Sequence, residues 1–598
     1  MVAAGKQPPR LTHRRRTAWI VISAILAVLV AWTAWVGVRA LQAKDELEAI
    51  VPAAANLQDA LSAGDMEGAN AVARDLAAHA ERASDLSGDL LWRGAEVVPA
   101  VGPNLAAVRV VSAQLDALST NAIQPLLAAS SNFSTIKDPV TGSFDVAAIA
   151  EVHGPLVQAV GALQTASDEL AGLNSASVVA PLEAGVVQLR DRVDQALEIT
   201  TELADTTSVL PAMLGSEGPR SILLMFQNNA ELRTGGGITA AFAEVRADGG
   251  SLALVDQASS RDFPGLTAPI MTLPEPTATL YGNAASQWVQ NITMPTDFEV
   301  SGALASEWWN LRTGHRPDLV VSVDPLALQA ALTVLGPIDV PGWGQLTGED
   351  AAYRLLVEPY LVIEDPVQQD AVFESAAARA FDVLLAGSSN PIDLFTAVQQ
   401  PIADGRISVW SAHAEEQAML GAGPMGGQAA RQRAAGDHAF GVYLNDATAA
   451  KMGSYLDIAI ASTVADCRPD GRRDLAVAVT LTNTAPADAA TTLPVGLTGS
   501  GNFGVAPGNI GTYVTVSAPA GTSLGSVMRD EGGRSAIQTE AGDQSWSQAR
   551  LNLEPGESDT LVFRFIAGEA GEFQPTIVHT PTMGTVAVAD PVAGNCDF

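Results

Sequence analysis

The sequence predicts a multidomain protein with a single transmembrane helix, an extracytoplasmic helical bundle or stalk, an α/β domain and a C-terminal β-sandwich. Three observations support this fold class. An uncharged apolar run follows a basic N-terminal tail, amphipathic helical patterns fill residues 39–212, and short apolar runs separated by turn signals dominate the remainder. The chain of 598 residues is long enough for three or four domains of ordinary size.

The apolar run reads TAWIVISAILAVLVAWTAWVGV from Thr17 to Val38. At 1.5 Å per residue it spans about 33 Å, enough to cross roughly 30 Å of hydrocarbon. Five basic residues precede it, and the first acidic residue is Asp45. The positive-inside rule therefore predicts a cytoplasmic tail at 1–16, a signal-anchor helix at 17–38 and an extracytoplasmic remainder. A cleaved signal peptide is the alternative, since Val38-Arg39-Ala40 resembles a cleavage site, but its apolar core would be only about 7–15 residues long.

The charge and the histidine and cysteine content of the chain argue against some classes of function. The formal net charge is -33, which argues against a nucleic-acid partner because phosphate binding needs a basic surface. The seven histidines are scattered and form no His-Glu-x-x-His motif, so the residues predict no metal site. The chain has two cysteines, Cys467 and Cys596. In an oxidising compartment they are expected to form one disulfide.

The region outside the predicted membrane divides into three parts. Apolar residues at spacings of three and four predict helices over 39–212, with breaks at proline and glycine. Strands alternate with helices over 213–440, which predicts an α/β domain. Residues 441–598 contain short strands separated by turn signals, which predicts a small immunoglobulin-like β-sandwich. The strands predicted in the α/β domain are 221–226, 238–245, 251–256, 318–323 and 337–340.

The most informative polar stretch, QNNAELRTGGG, runs from Gln227 to Gly237 directly after an apolar strand. Glycines let backbone N–H groups approach an anion, and an arginine fork can bind phosphate through two N–H groups. Four candidate ligand-binding residues follow from this pattern: Asn228, Asn229, Glu231 and Arg233. A sharp structural loop with an ion pair between Glu231 and Arg233 explains the same pattern equally well.

Two further motifs contain residue types found in functional sites. Arg261 and Asp262 follow the strand at 251–256 and are expected at the carboxyl edge of the sheet, where α/β proteins bind ligands; a surface ion pair is the favoured alternative. The string Gly521-Thr522-Ser523-Leu524-Gly525 resembles a hydrolase motif that needs a preceding strand and a following helix. Because turn residues surround it in a strand-rich region, it is predicted to be a loop.

Two long segments resemble the signature of an actinobacterial family, the domain-of-unknown-function family 4012. They read SILLMFQNNAELRTGGGITAAFAEVRADGG and VVSVDPLALQAALTVLGPIDVPGWGQLTGEDAAYRLL. The likeness runs from about Leu91 to Leu456 and is strongest over 213–360. It implies the same layout of anchor, helical stretch and β-rich tail, but no chemistry, because the family's activity is not established.

The order of elements in the α/β region is also similar to that of the LytR-CpsA-Psr family. Those envelope enzymes move glycopolymers from polyprenyl-pyrophosphate carriers onto peptidoglycan with Mg²⁺. The stretch 259–262 resembles their Ser-x-Pro-Arg-Asp element without its proline, and 346–352 resembles their Leu-x-Gly-x-x-Ala-Leu helix. Their arginine-rich motif after this helix is reduced here to Arg379, and their first-loop aspartate is replaced by Gln227 or Asn228.

The sequence therefore predicts a membrane-anchored cell-envelope protein of unknown activity that binds or helps to assemble a surface glycopolymer. A polyprenyl-phosphate lipid or the cell-wall glycopolymer itself is the expected partner. If the protein is instead a glycopolymer phosphotransferase, Arg233 and Arg261 bind pyrophosphate and Glu231 or Asp262 holds Mg²⁺. A structural or adhesive surface protein is the third alternative. A polyprenyl-phosphate ligand is favoured if Arg233, Arg261 and Arg354 converge beside an apolar groove, whereas separate positions count against the enzyme.

Overall fold

A computed structural model describes residues 13–62, 65–130, 136–138, 141–173, 177–386, 391–529, 532–533 and 535–594. These residues divide into two compact units. Unit 1 contains the described parts of Met1–Ile136 and Ala147–Leu210, and unit 2 contains those of Lys137–Val146 and Pro211–Phe598.

Unit 1 is helical, which confirms the helical region expected from the apolar spacing. Its elements are α1 His13–Ser62, α2 Met66–Ser87, α3 Leu90–Ala95, α4 Gly102–Leu118, a π-helical turn Ser119–Ile123, α5 Gln124–Ser130, α6 Val146–Ala171 and α7 Ala180–Met213. Buried side chains at helical spacing, such as Leu163 and Leu170 of α6, pack against Val111 of α4 and Val193 of α7. The amphipathic faces therefore meet in a bundle core.

The predicted apolar run is the first part of a much longer helix, because α1 continues without a break for 50 residues. Two described helical segments are long and apolar enough to cross a membrane, Thr17–Leu61 and Val146–Ala171. The second is α6, which contributes side chains to the bundle core, whereas 17–31 is exposed at every residue. The N-terminal segment is compatible with either a membrane anchor or a signal sequence.

Unit 2 contains a five-stranded mixed sheet, which confirms the α/β region. Its strands are β1 Arg220–Asn228, β2 Ile238–Asp248, β3 Ser251–Ser259, β4 Leu319–Val323 and β7 Ile407–Ser411, in the order β3-β2-β1-β4-β7. β1 is parallel to β4 and antiparallel to β2, and β2 is antiparallel to β3. The carboxyl ends of β1, β3 and β4 therefore lie at the same edge of the sheet.

Helices cover both faces of this sheet. Alternate β1 residues point to opposite faces, so that Leu223 and Met225 pack with Trp308 and Trp309 of α10, the helix Phe298–Thr313. Helices α11 (Pro325–Leu335), α14 (Pro366–Ala386) and α15 (Pro391–Ala403) lie on the other face. The remaining elements of the region are α8 Thr277–Tyr281, α9 Ala284–Gln287, β5 Ile338–Val340, β6 Gly344–Leu346, α12 Ala351–Leu356, α13 Glu358–Val362, α16 Ala414–Ala422 and α17 Gln428–Ala434.

The strand-rich end forms two sheets around one core. Their orders are β13-β12-β16-β10-β9-β18, with β19 also on β9, and β14-β15-β11-β8-β17. Phe440 and Val514 from one sheet share the core with Val477 and Phe563 from the other. The elements are β8 Ala439–Asp446, β9 Leu456–Ala465, β10 Arg472–Asn483, α18 Ala489–Thr492, α19 Val495–Thr498, β11 Ile510–Ser517, β12 Ser523–Arg529, β13 Gly532–Gly533, β14 Ile537–Ala541, β15 Gln544–Leu553, β16 Ser558–Ala570, β17 Thr576–His579, β18 Ala587–Val588 and β19 Val592–Ala593. An immunoglobulin-like topology stays a prediction.

One local expectation needs correction, and two observations on the compact units add to the predicted layout. Ser523 is the first residue of β12, so the Gly-x-Ser-x-Gly string is a turn that enters a strand rather than a loop throughout. The segment Lys137–Val146, expected within the helical region, belongs to unit 2, where the Phe144 N–H donates to Gly250 O at 2.8 Å. The α/β and strand-rich regions share one compact unit. Cys596 lies outside the described residues, so the disulfide stays a prediction.

Candidate functional site: an apolar cavity beside a buried polar loop

The predicted ligand loop, 227–237, is largely buried against the strand-rich part of unit 2. Backbone hydrogen bonds join the two, from Asp446 N to Leu232 O at 2.8 Å and from Gly453 N to Ala230 O at 2.7 Å. Asn445 adds a side-chain bridge, accepting from Thr234 N at 3.1 Å and donating to Thr234 Oγ1 at 3.0 Å. The loop therefore joins the sheet to the end of β8.

Glu231 and Arg233 form the ion pair that the structural interpretation predicts, with 3.1 Å between Arg233 Nη2 and Glu231 Oε1. Lys451 pairs with the other carboxylate oxygen of Glu231. The five N–H donors of Arg233 go to Glu231 Oε1, to Asn291 Oδ1 twice, to Leu232 O and to Asp446 O. A guanidinium group has five such donors, so none is left for a phosphate.

The buried charges in this network shift each other's protonation. Burial disfavours the ionised form of Glu231, but Lys451 and Arg233 outweigh it and hold the pKa of this carboxyl below its usual value. Burial, followed by the negative charge of Glu231, raises the pKa of Asp446 to about 6. The network therefore ionises Glu231 and opposes ionisation of Asp446.

The two asparagines lie at the carboxyl end of β1 and bind other elements. Asn228 Nδ2 donates to the Tyr360 hydroxyl at 2.6 Å. Asn229 Nδ2 donates to Asp324 Oδ2 at 3.0 Å, and Asn229 Oδ1 is buried without a hydrogen-bond partner within the described ranges. Asp324 caps α11 through Ala327 N at 2.9 Å and pairs with Arg406 at 2.9 Å.

Arg261 and Asp262 lie at the carboxyl edge, as predicted, just after β3. Asp262 accepts from Ser259 N at 2.9 Å and completes a capping box around a short 3₁₀ helix, so its carboxylate has a local structural partner. Arg261 is half-exposed and pairs with Asp370 at 3.3 Å, which also accepts from the Ser259 hydroxyl at 2.8 Å. Asp262 thus caps the short helix, while Arg261 remains accessible to solvent.

Arg354 lies on α12 and binds the β5–β6 hairpin. Its guanidinium donates to Gln345 O at 2.6 Å, to Trp343 O at 2.9 Å and to Glu358 Oε2 at 3.0 Å. The partners of Arg233, Arg261 and Arg354 are thus three different sets. The three arginines do not form a cluster of free guanidinium groups, which counts against the phosphotransferase alternative.

The carboxylates proposed for Mg²⁺ are also engaged by the protein itself, Glu231 by two cations and Asp262 by a backbone N–H. Over the part of the chain that the structure describes, no group of three or more His, Cys, Asp or Glu is arranged to hold a metal ion. A magnesium ion at Glu231 would have to displace Lys451 and Arg233.

An apolar cavity of about 230 Å³ lies between the sheet and helices α11, α14 and α15. Its lining side chains are apolar except for Gln227, Asn228 and Asp324, all at the carboxyl ends of β1 and β4. The sequence pattern did not reveal this cavity, although it ends at the loop and strand that the pattern singled out. The polar groups therefore lie at one end of an otherwise hydrophobic chamber.

Small residues leave this space open. Leu224 and Phe226 point from β1 toward the helices and are only half-buried, whereas Leu223 and Met225 on the other face are fully buried. Across the gap α14 presents three alanines, two phenylalanines and a leucine. These side chains are Phe373, Ala376, Ala377, Ala380, Phe381 and Leu384. A larger residue at any of the alanines would occupy the chamber.

A charged cluster lies at the opposite edge of the sheet, and the sequence analysis missed it. Glu244 is buried and accepts hydrogen bonds from the Ser221 hydroxyl at 2.5 Å and from Trp309 Nε1 at 3.2 Å. His315 Nε2 lies 2.7 Å from the same carboxylate. Arg312 pairs with Asp256 nearby, in a groove open to solvent. Positive and negative groups offset each other here, so the groove favours no particular ion.

Comparison with known proteins supports only a domain assignment. No curated protein matches the chain. Residues 217–360 match a family model described as "Protein of unknown function (DUF4012)". The matched segment contains β1 to β6, the polar loop and Asp324, which means that it supplies one wall and the polar end of the cavity. Residues 217–360 therefore resemble a family of unknown function, over part of unit 2.

Proposed function

We propose that this is a single-pass, membrane-anchored extracytoplasmic protein that binds the hydrocarbon chain of a lipid carrier and so helps to assemble a cell-envelope glycopolymer. The observation that carries the proposal is the apolar cavity at the carboxyl edge of the mixed sheet. The N-terminal apolar helix supports the anchoring. The polymer assignment rests on the likeness of element order to the LytR-CpsA-Psr family.

The walls of the cavity favour an apolar guest. A dry apolar cavity of roughly 150 Å³ is known to bind benzene, so a chamber of about 230 Å³ has room for a short segment of an alkyl or isoprenoid chain. Each methylene group transferred from water would contribute about 0.8 kcal/mol. Gln227 and Asn228 at one end are placed to face the more polar part of such a guest.

The packing of α1 supports a retained anchor rather than a cleaved signal. The helix runs through Val38-Arg39-Ala40 without a break, Val36 is buried in unit 1, and Arg39 pairs with Asp89. Cleavage after Ala40 would cut a helix whose side chains on both sides of the cut contact α3 or α4. Removal of the segment would also take away Trp32, Trp35 and Val36, whose side chains belong to a hydrophobic cluster of unit 1.

The hydrogen bonds that the arginines already make favour binding over catalysis. Arg233 has used all its donors, and Arg354 binds the hairpin. Arg261 remains half-exposed and can offer one charge to a phosphate group outside the cavity. One half-exposed guanidinium, already paired with Asp370, suits recognition of a headgroup better than stabilisation of a transferred phosphoryl group.

A lipid extraction experiment tests this function. Full-length protein is purified from membranes, and the lipid bound per chain is measured by mass spectrometry for the wild type, Ala377→Phe and Ala371→Phe. Ala377 lines the cavity, whereas Ala371 is exposed on the same helix, so the second variant is a matched control for the added ring. Both variants retain the anchor and its surrounding lipids.

The proposal predicts one lipid class that is enriched in the wild type and in Ala371→Phe and lost in Ala377→Phe. Equal lipid content in all three proteins would overturn it. Transfer of a glycopolymer by the purified protein, abolished by Arg261→Ala, would instead establish the phosphotransferase alternative.

A further inference from the structure

A second apolar surface lies on unit 1, beside the N-terminal helix. Five large aliphatic side chains of α3 and the turn after it are exposed, within a segment of only 12 residues, Leu90–Val101. They are Leu90 at 84%, Leu91 at 55%, Val97 at 81%, Val98 at 39% and Val101 at 53%. Such a concentration marks an interaction surface rather than ordinary scatter.

This surface is continuous with the apolar face of α1. Leu91 lines a shallow groove together with Val28, Ala31, Trp32 and Trp35 of α1. The Trp32 indole N–H donates to Leu91 O at 3.1 Å, which fixes α3 against this part of the helix. Whatever surrounds α1 at Val28 therefore also surrounds Leu91.

The length of α1 places this contact at the membrane. The basic residues before Thr17 set the inner limit of the span, and 17–31, all exposed, cover only about 22 Å at 1.5 Å per residue. Crossing about 30 Å of hydrocarbon takes roughly 20 residues, which extends the span to about Val36. Trp92, Ala95 and Leu105 pack on Val36. The exposed side chains of α3 consequently lie at the depth of the outer leaflet.

Two of the three charged groups at the segment are paired within the protein, whereas the third, Arg93, is exposed and can extend its long side chain toward the lipid headgroups. Asp89 accepts from Leu91 N at 2.8 Å and Trp92 N at 3.0 Å, and its charge is balanced by Arg39. The carboxylate of Glu96 is paired with Arg109 at 2.6 Å. Backbone bonds within the turn include Val98 N to Ala95 O at 3.1 Å. Internal pairing of this kind is what insertion into a bilayer interface requires.

We propose that Leu90–Val101 is a membrane foot, inserted among the acyl chains and glycerol groups of the outer leaflet beside the anchor helix. The inference rests on the membrane anchor of the proposed function. A helix alone leaves the rotation and tilt of the attached bundle free, whereas a second insertion point on one side fixes both. The occupant of this surface is thus the lipid bilayer itself.

Photocross-linking in nanodiscs tests the foot. A photoreactive benzoylphenylalanine replaces Val28, Val97 or Val157 in the full-length protein, which is reconstituted with radiolabelled phosphatidylcholine and illuminated. Val28 reports the anchor and Val97 the foot. Val157 is an exposed control in the same unit.

The control position is remote from the foot within unit 1. Leu156, its neighbour, packs near Leu126, and Leu127 packs on Leu57 of α1. Leu57 is 21 residues beyond Val36, about 31 Å along the helix axis. A probe at 157 therefore lies well outside the leaflet that the foot would enter.

If Leu90–Val101 inserts into the bilayer, lipid cross-linking at position 97 should be comparable to that at position 28 and many-fold above that at position 157. If position 28 cross-links to lipid but position 97 does so no more than position 157, the foot would be overturned and the anchor would remain. Equally strong labelling at 157 and 97 would also overturn it. No labelling at 28 would remove the anchor and the foot together, without bearing on the lipid cavity of unit 2.

Discussion

Replacing Asp446 with asparagine is expected to stabilise the protein, and to do so more at high pH than at low pH. Asp446 is buried beside Glu231, and its pKa is raised to about 6 in the folded state. Asparagine has almost the same shape and can still accept the hydrogen bonds from Thr448 N at 2.9 Å and Ala449 N at 2.6 Å. The substitution therefore removes a buried negative charge and leaves the turn intact.

The pH dependence follows from the direction of this shift. The folded state binds the Asp446 proton more tightly than the unfolded chain, whose aspartate pKa is about 3.9, so stability falls as the pH rises between about 4 and 6. At 1.36 kcal/mol per pKa unit, ionisation of Asp446 lowers the free energy of unfolding by about 1.5 kcal/mol at pH 5, and this loss levels off near 3 kcal/mol above pH 6. Asp446→Asn should recover these amounts.

Urea unfolding of the full-length protein in detergent micelles, followed by tryptophan fluorescence at pH 5 and pH 8, measures this difference. Asp457→Asn, at an exposed position on β9, is the control and should change stability by no more than about 0.5 kcal/mol at either pH. Destabilisation by Asp446→Asn at pH 8, or an equal effect at both pH values, would refute the reasoning about the buried network.

Three further predictions concern the loop and the chain end. Arg233→Met should lower the free energy of unfolding by about 3–5 kcal/mol in the same urea experiment, because it leaves Glu231 buried with one partner. Arg261→Met should change it by no more than about 1 kcal/mol, since Arg261 is half-exposed. Equal losses would contradict the difference in burial. Gly237→Ala should disrupt the loop, since a Cβ would lie 2.2 Å from the Asn228 carbonyl carbon, and unchanged hydrogen exchange of 227–237 would speak against this packing. Non-reducing peptide mapping should recover Cys467 linked to Cys596, because β19 pairs with β9 and the Gly594 N–H donates to Val464 O at 2.8 Å; two free thiols in the exported protein would exclude the bridge.

Local patterns in the sequence were sufficient for the elements of the fold. The short apolar run at 221–226 predicts a strand because both faces of β1 are covered, one by α10 and the other by helices that line the cavity. Helical spacing predicts the bundle for the same reason. The position of Arg261 at the carboxyl edge also follows from strand order, since β3 runs in the same direction as β1.

The environment of the polar loop could not be read from local patterns. Its partners Asn445 and Lys451 are more than two hundred residues away in the chain, and a stretch of amides and charges normally indicates a solvated surface. Burial is tolerated here because nearly every polar group has a partner within the protein. Only the ion pair between Glu231 and Arg233, two residues apart, was visible in the sequence.

The cavity was missed for a different reason. Empty space results from residues that fail to fill a volume, and the alanines of α14 read simply as good helix formers. Only the structure shows that Ala377 lies across a gap from the half-buried Leu224 and Phe226, so that the small side chain leaves a cavity. Conversely, the valines of 97–101 fall at a predicted proline break between helices, and only the structure shows that they are exposed close to α1.

Mapping the site of a photoreactive isoprenoid phosphate on the full-length protein tests the central claim most directly. The lipid carries a diazirine in its hydrocarbon chain and is presented in nanodiscs, and cross-linked peptides are identified by mass spectrometry. The account predicts adducts on α14 near Phe373 and Phe381 and on β1 near Phe226, lost in Ala377→Phe and retained in Ala371→Phe. Adducts confined to α1, with none on unit 2 in the wild type, would contradict a lipid-binding cavity.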